Sequence, residues 1–435
     1  MKPRILLSAY FCSPCRGGEA AVGWQVATRL AAAGHEVVVL CGDLSDDEPT
    51  RKDHASYAAE HTLPDGLTIH YVAADPTTRR IHHWHGLPGL WFLYYHAYRK
   101  WQQTAYAEAR RLHAAKPFDA VHHLTVIGYR EPGYLWQLGV PFFWGPVHGA
   151  ASMPWRFIPS FGLRGIYRHV TRNLLNALQM RTSARCRTAA RVARHIWAVT
   201  EEDRAMVEGL WGAQAEVMLE TGTSATGPQT ILSRRAGEPL RLVWSGLIEA
   251  RKALPLVLKA LALLDHGTSW RLDVLGDGPD RGSAVKLAAK LGIAGNIRWH
   301  GFIPRDQALQ CMRESHVLLH SSVKEGTPHV VLEALAHGLP VICHDACGMG
   351  VAIDERCGLK IPMQSPWVSI AGFHQAVQRM ASEEGLLESL SAGARVRTGE
   401  LSWDHIVRRF EAAYETCRED GCRGAARCFG VSVRP

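Results

Sequence analysis

The sequence predicts an α/β protein built of two doubly wound parallel-sheet domains that face a central cleft. Three observations carry this reading. A strand, glycine-bearing loop, helix and second strand succeed one another within the first 42 residues. Apolar strand patterns alternate regularly with helical ones from Arg241 to Cys343. At roughly 150 residues per domain, 435 residues exceed what one core serves.

Taken in order, Arg4–Ser8 reads as a strand, Arg16–Gly18 as a turn, and the apolar-periodic stretch to Ala33 as a helix, with Gly34 where a helix-terminating glycine belongs. Glu36–Leu40 then has the unbroken apolar run of a parallel strand covered on both faces. In the second half, strands are predicted at Arg241–Ser245, Leu272–Leu275, Ile297–Trp299, Val317–His320 and Pro340–Cys343. Helices are predicted between them at Leu256–Leu264, Ser283–Leu291, Asp306–Glu314 and His329–His337. The polar stretch Glu220–Pro228 reads as the linker, which divides the chain into domains 1–225 and 226–400. Residues 401–417 form a last helix, and 418–435 mix charge, glycine and cysteine without period, as a loose tail does.

The 47% hydrophobic and 21% charged composition is that of a globular protein, and the absence of any run of about 18 apolar residues excludes a transmembrane anchor. The start Ile5–Cys12 is short and lacks a cleavage pattern, which argues against a signal peptide. The 11 cysteines are irregularly spaced, so a reducing, cytoplasmic setting is expected and a disulfide framework is not. Cys12 and Cys15 have redox spacing, a weak signal on its own, while Cys417, Cys422 and Cys428 match no zinc pattern; no metal is expected. A net charge of +8 favours anionic partners without selecting among nucleotide, phospholipid and nucleic acid.

Two regions depart from the alternation. Residues 151–194 hold nine arginines and no Asp or Glu, interleaved with Trp155, Phe157, Ile158, Phe161, Leu163, Ile166, Tyr167, Leu174 and Leu175. Such a segment suits anionic lipid headgroups, or equally a solvated helix face beside a core stripe. Trp84–Trp101 is dense in aromatics and histidine and reads as a helix packed on the sheet rather than as a membrane contact.

The segment Lys324–Glu333 is the most informative for chemistry. Thr327 suits an N-cap and Pro328 a first helical residue, directly after a strand. The first N–H groups of the helix, at His329, Val330 and Val331, would then lack intrahelical partners at the strand ends, where a diphosphate is favoured by donors and dipole together. Glu325 and Glu333 are placed to accept hydroxyls of a sugar and a ribose on either side of it. An ordinary capped helix with an exposed Glu is the other reading of this spacing. Ser245–Lys252 adds Gly246 and the cations Arg251 and Lys252 after a strand, and Leu275–Pro279 adds the Gly276 turn. Neither is a GxGxxG or Walker loop, so neither a nicotinamide cofactor nor NTP hydrolysis is indicated.

With Ala334–Val341 following it, Glu325 to Glu333 resembles the Glu-x7-Glu signature of family 4 (group 1) glycosyltransferases, whose architecture is GT-B, two Rossmann-like domains across a cleft. The resemblance extends through Gly17–Glu19, Gly34–Val37, Asp119–His123, Glu220–Gly222, Gly246–Lys252, Leu275–Pro279 and Ser402–Trp403. It implies that Lys252 binds the donor diphosphate, Glu325 the donor sugar and Glu333 the ribose. Gly326, Thr327, Val330, Val331, Gly246 and Gly276 would line the donor, and the Gly17–Gly18 loop would close over the phosphates. It implies that His123, or else His122, lies near the reacting carbon, and that the last helix crosses back to the N-terminal domain through the amphipathic stretch Ile406–Tyr414. Leu247 stands where many members have Arg, so Arg251 would supply the second cation. His148, in Trp144–Gly149, lies on a cleft-facing loop by resemblance, with a structural role equally open.

The function implied is a retaining glycosyltransferase that moves a sugar from a nucleoside diphosphate sugar, a substrate rather than a cofactor, to an acceptor bound by the N-terminal half. A glycan or a polyprenyl-diphosphate-linked sugar is the expected acceptor, an anionic membrane surface a possible partner, and the inner face of the cell membrane the corresponding place. A nucleotide-sugar epimerase and a non-catalytic nucleotide-sugar binder are the alternatives. Nucleic acid is set aside as a partner because the basic stretch contains no groove-reading motif.

Overall fold

The computed structural model describes residues 2–43, 48–87, 90, 92–224, 231–235 and 237–424. Two all-parallel sheets form its frame. The first comprises β1 (Arg4–Ala9), β2 (Glu36–Asp43), β3 (Leu67–Ala73), β4 (Ala120–Thr125), β5 (Phe142–Val147), β6 (His195–Ala198) and β7 (Glu216–Val217), in the order β3-β2-β1-β4-β5-β6-β7. The second comprises β8 (Leu240–Ser245), β9 (Trp270–Leu275), β10 (Ile297–Gly301), β11 (Val317–His320), β12 (Val341–His344) and β13 (Gly358–Ile361), in the order β10-β9-β8-β11-β12-β13. The apolar runs expected as strands are these strands because helices cover both faces, so β4, β5, β11 and β12 are buried at every position.

In each sheet the winding reverses once, between β1 and β4 and between β8 and β11. Such reversals open a crevice beyond the strands' C-terminal ends, and that is where ligands bind in open α/β sheets. The β1–β4 register shifts at Ser8 and Ala9, where Ala9 comes to pair with Thr125.

The helix Trp403–Gly424 leaves the C-terminal domain and packs on the N-terminal one. Its apolar stripe, Trp403, Ile406, Val407, Phe410 and Tyr414, joins Ile5, Leu7, Val22 and Val37 in one core cluster. Burial of each large side chain contributes about 1.5–3 kcal/mol, and Arg29 to Asp404 (3.0 Å) and Lys2 to Glu411 (3.1 Å) tie its polar edge. The helix runs seven residues past the expected Cys417, and residues 425–435 of the expected tail lie outside the described residues. Part of the expected linker, 225–228, including the 225/226 boundary, also lies outside them. The described part, Glu220–Ser224, meets the other interdomain connection: Thr223 N–H donates to the Leu401 carbonyl (2.8 Å) and Trp403 N–H to the Thr223 carbonyl (3.3 Å).

Of the aromatic stretch Trp84–Trp101, the helix Leu93–Ala115 buries Ala97, Tyr98 and Trp101, as expected of sheet packing, whereas Trp84, Leu87 and Phe92 stay exposed.

Candidate active site

A cluster of charged side chains forms where β8 and β11 end. Ser321 Oγ donates to the Lys252 carbonyl (2.7 Å) and Val323 N–H to the Arg251 carbonyl (3.0 Å), which binds the loop after β8 to the loop after β11. Glu325 there receives the Lys252 ammonium, Arg251 Nη1 at 3.0 Å and Ser322 Oγ at 2.9 Å. Burial alone would raise the Glu325 carboxyl, but Lys252 and then Arg251 outweigh it and hold the pKa below the ordinary value. Arg251 thus stands beside Lys252 in the absence of an Arg at Leu247. Beneath them His320 is buried, its pKa depressed to about 3 by burial and by Lys252, so it is neutral. Gly276 permits this packing: at φ +134°, a Cβ there would lie 2.0 Å from the Gly246 carbonyl oxygen.

The helix after β11 spans His329–Ala336, but its start differs from expectation. Pro328 occupies the cap position, and Thr327 makes no cap: its hydroxyl and its N–H (3.3 Å) both donate to Glu220 of the interdomain connection. Val331 N–H is also spent, on the Pro328 carbonyl at 2.9 Å, because the first turn closes tightly. Among the described residues, the N–H groups of His329 and Val330 therefore have no backbone acceptor. Glu333 lies at the surface, paired with Arg305 Nη2 at 2.6 Å.

The N-terminal domain meets this cluster through His148, just past β5. Its Nδ1 donates to Asp203 Oδ2 at 2.9 Å, and Asp203, fully buried, also accepts from Ala150 N–H (2.8 Å) and Thr200 Oγ1 (2.8 Å). Burial opposes charge on His148, but Asp203 prevails and raises its pKa above the ordinary value. The opposite ring atom, Nε2, faces Gly326: a Cβ on that glycine would stand 3.2 Å from it. Lys324 reaches across to the Ala151 carbonyl. Glu19, the first residue of the helix behind the exposed Gly17–Gly18 loop, accepts from Ile127 N–H (3.3 Å), and burial pushes its pKa up to about 7. Glu19, His148 and Lys324 line one interdomain cavity of about 250 Å³.

Neither expected histidine lies on that cavity. His122 is buried under the crossing helix; its Nε2–H donates to the Gly145 carbonyl (2.8 Å) and its Nδ1 accepts from Tyr414 (2.6 Å). Burial takes its pKa down to about 3. His123 is also sealed, beside Gly133 and Gln102, its pKa lowered by burial to about 4. Both belong to β4, whose every residue is buried, whereas His148 lines the cavity. Glu19, Glu220 and Lys324 fall within the sequence motifs, which by themselves assign them no role. What could have found them is that each sits at a strand end or helix start directed at the cleft.

The basic segment is also reapportioned. Phe157 and Ile158 belong to the C-terminal domain's core, Phe157 facing His344, so they form no surface for lipid. On the helix Gly162–Thr182, Leu163 is 87% and Tyr167 75% exposed, and Leu174 and Leu178 continue their stripe beside exposed Arg164 and Arg168. Cys12 and Cys15 are both free thiols, one buried and one exposed. Among the described residues no helix is long and apolar enough to cross a membrane, and no three His, Cys, Asp or Glu groups are placed to hold a metal.

Two parallel-sheet Rossmann-like domains, a cleft at their paired switch points and a crossing C-terminal helix define a GT-B fold. The fold is that of the lipopolysaccharide outer core galactosyltransferase WaaB (TM-score 0.63, 15% identity, covering 96% of this chain and 99% of that one). It is equally that of sucrose-phosphate synthase from Thermosynechococcus elongatus (TM-score 0.63, 17% identity, covering 97% and 100%). Residues 233–395 match the family model of glycosyl transferases group 1, so the chain carries a group 1 glycosyl transferase domain on a GT-B frame. A D-inositol 3-phosphate glycosyltransferase of Streptomyces bingchenggensis is 30% identical over 253 residues, 53% of this chain and 54% of the relative. The chain spans about half the length of the curated relatives it matches.

Proposed function

We propose that the protein is a retaining glycosyltransferase that moves a sugar from a nucleoside diphosphate sugar to an acceptor held mainly by the N-terminal domain. The observation that carries this is the convergence of Lys252, Arg251 and Glu325 beside the open N–H groups of His329 and Val330, within the matched domain. The two cations and the N–H groups suit the charge that develops on a departing diphosphate. As phosphate takes up Lys252, Glu325 is released to accept the donor sugar's hydroxyls; it positions the donor and forms no bond to it. Glu333, turned from Arg305, takes the ribose. Attack comes from the leaving-group face, with His148 beside the sugar and the cleft excluding water.

The acceptor is a glycan or a polyprenyl-diphosphate-linked sugar of polysaccharide or glycolipid assembly. It is met at an anionic membrane face against which the Leu163, Tyr167, Leu174 and Leu178 stripe rests. Arg164 and Arg168 suit such a surface, each contributing about 1 kcal/mol at low salt.

Thermal shift with UDP-, GDP- and ADP-sugars, followed by product analysis, tests the donor reading. Stabilisation by one nucleotide class and transfer to an added acceptor are expected. Epimerised sugar formed without any acceptor would overturn it. Sedimentation with vesicles tests the surface: the protein pellets with anionic but not neutral lipid, and Arg164→Gln with Arg168→Gln abolishes this. Equal recovery in the supernatant with both lipids removes the membrane from the account.

A further inference from the structure

The interdomain cavity of about 250 Å³ contains a group of cations that the donor reading does not use: Arg130 and Arg172 from the N-terminal domain and Lys324 from the C-terminal one. Their partners are neutral. Arg130 Nε donates to Gln179 Oε1 at 2.8 Å and its Nη2 to Asn176, and its guanidinium lies over the Tyr129 ring, 4.6 Å from the centroid. Lys324 donates to the Ala151 carbonyl. Arg172 has no ion pair among the described residues. The one carboxyl lining the cavity is Glu19, which burial favours in its uncharged form, with a pKa of about 7.

Like charges facing one another in a partly desolvated cavity are costly unless an anion joins them. The cost is visible at Lys324, whose pKa is brought down to about 8 by burial, then by Arg172 and, more weakly, Arg130. The same burial and Arg130 lower Arg172. A second cavity of about 310 Å³ shares Tyr95 and Arg130 with the first and is lined by the exposed Phe92 and Gln179. It lies between the helices Leu93–Ala115 and Gly162–Thr182, and the latter also carries the exposed Leu174 and Leu178. The two cavities thus share a wall and give a path from beside His148 to the groove between these two helices.

We propose that this path is the acceptor site and that Arg130, Arg172 and Lys324 hold a phosphate or diphosphate group of the acceptor. The assignment rests on the glycosyltransferase reading and adds to it the acceptor's recognisable chemistry. Two arginine forks and an ammonium match phosphate oxygens in geometry and charge. Because Lys324 comes from the opposite domain, the anion would also bridge the cleft, replacing repulsion across it with attraction.

Titration calorimetry separates this site from the donor's. The protein is first saturated with the nucleoside diphosphate selected by the donor screen, which fills the subsite at Lys252, and inorganic pyrophosphate is then added. One further pyrophosphate should bind, and Arg172→Gln should weaken it about ten-fold or more while leaving nucleoside diphosphate affinity as it was. Arg172 donates no hydrogen bond among the described residues, so this variant should fold; Arg130→Gln is the second, checked by its circular dichroism. No further pyrophosphate bound, or the same affinity in both variants, overturns the proposal. Failure of nucleoside diphosphate to bind overturns the donor reading instead, and pyrophosphate is then titrated alone against the same variants. Competition identifies the source of the phosphate. Displacement of pyrophosphate by vesicles containing polyprenyl diphosphate indicates a lipid-linked acceptor, and displacement by a water-soluble sugar phosphate a soluble one. Displacement by neither removes the acceptor from the site.

Discussion

Replacing Lys252 with Ala tests the centre of the site in two ways that separate binding from folding. In the ligand-free protein the Lys252 ammonium meets Glu325, and both side chains are largely buried, with 16% and 14% exposed. Removing one partner of a wholly buried pair costs about 3–5 kcal/mol, but Glu325 is not left alone here. Arg251 Nη1 remains at 3.0 Å and Ser322 Oγ at 2.9 Å. The loss of stability should therefore be that of one charge-assisted hydrogen bond, about 1.5–3 kcal/mol, read as a lower urea midpoint with an unchanged slope. The binding loss is of similar size but arises separately, from the phosphate contact, so nucleoside diphosphate affinity by calorimetry should fall by about 10- to 150-fold. A variant that loses stability yet keeps its diphosphate affinity would refute the exchange of Lys252 from Glu325 to phosphate. The ion pair would then be structural alone.

Glu325→Gln should lower turnover much more than nucleoside diphosphate affinity, and Glu333→Gln should weaken both donor and diphosphate, since ribose belongs to each; steady-state kinetics beside calorimetry separate them, and identical profiles defeat the division of roles. Asp203→Asn should remove a pH dependence of stability. The raised His148 pKa makes the ion pair's contribution full below about pH 6.5 and lost as pH rises through the folded-state value, so the wild-type urea midpoint should gain on acidification over that range and the variant's should not. Phe410→Ala, fully buried between the His122 and Trp197 rings at 5.0 and 4.5 Å, should cost about 3–5 kcal/mol in urea unfolding. A loss under 1 kcal/mol would mean that the crossing helix adds little to the N-terminal domain.

What could be read from the sequence follows from what each residue's neighbours in the chain determine. Val37 to Leu40 or Val317 to Leu319 had to be strands covered on both faces, because an unbroken apolar run allows little else in a parallel sheet. Lys252 and Glu325 were found because their loops carry local signals, a glycine and adjacent cations in one, a strand end and helix start in the other. Where the outcome depended on a partner distant in sequence, local reasoning failed. Thr327 has the chemistry of an N-cap, but Glu220, 107 residues away, is the stronger acceptor and takes both its hydroxyl and its N–H. Phe157 reads as an interfacial aromatic until the C-terminal domain's core closes over it. The resemblance offers His123 or else His122, and burial keeps both rings off the interdomain cavity. Alternation along β4 decides only which sheet face each ring enters, and both faces are covered, one by the helix that begins at Trp403.

The residues to which the sequence assigns no role, and His148, whose role it leaves open, share a physical property, which bears on how the site works. Glu19, His148, Glu220 and Lys324 matter only once the domains meet, and none has a strong signal within its own segment. The charge around them is also uneven. Lys324 faces Arg130 and Arg172 across the cleft, while beyond β8 the cations Arg251 and Lys252 are balanced by Glu325 and Glu249. A cleft with surplus positive charge around Arg130, Arg172 and Lys324 resists closing when empty. It is drawn together when a diphosphate occupies the donor side and a phosphate group the acceptor side. On this account each anion lowers the cost of binding the other, so diphosphate affinity should rise several-fold in the presence of pyrophosphate at the second site, a coupling of about 1–3 kcal/mol. Arg172→Gln should abolish that coupling without weakening the diphosphate on its own, whereas independent binding in the wild type would show that the surplus charge lies too far apart, or too well screened, to govern closure.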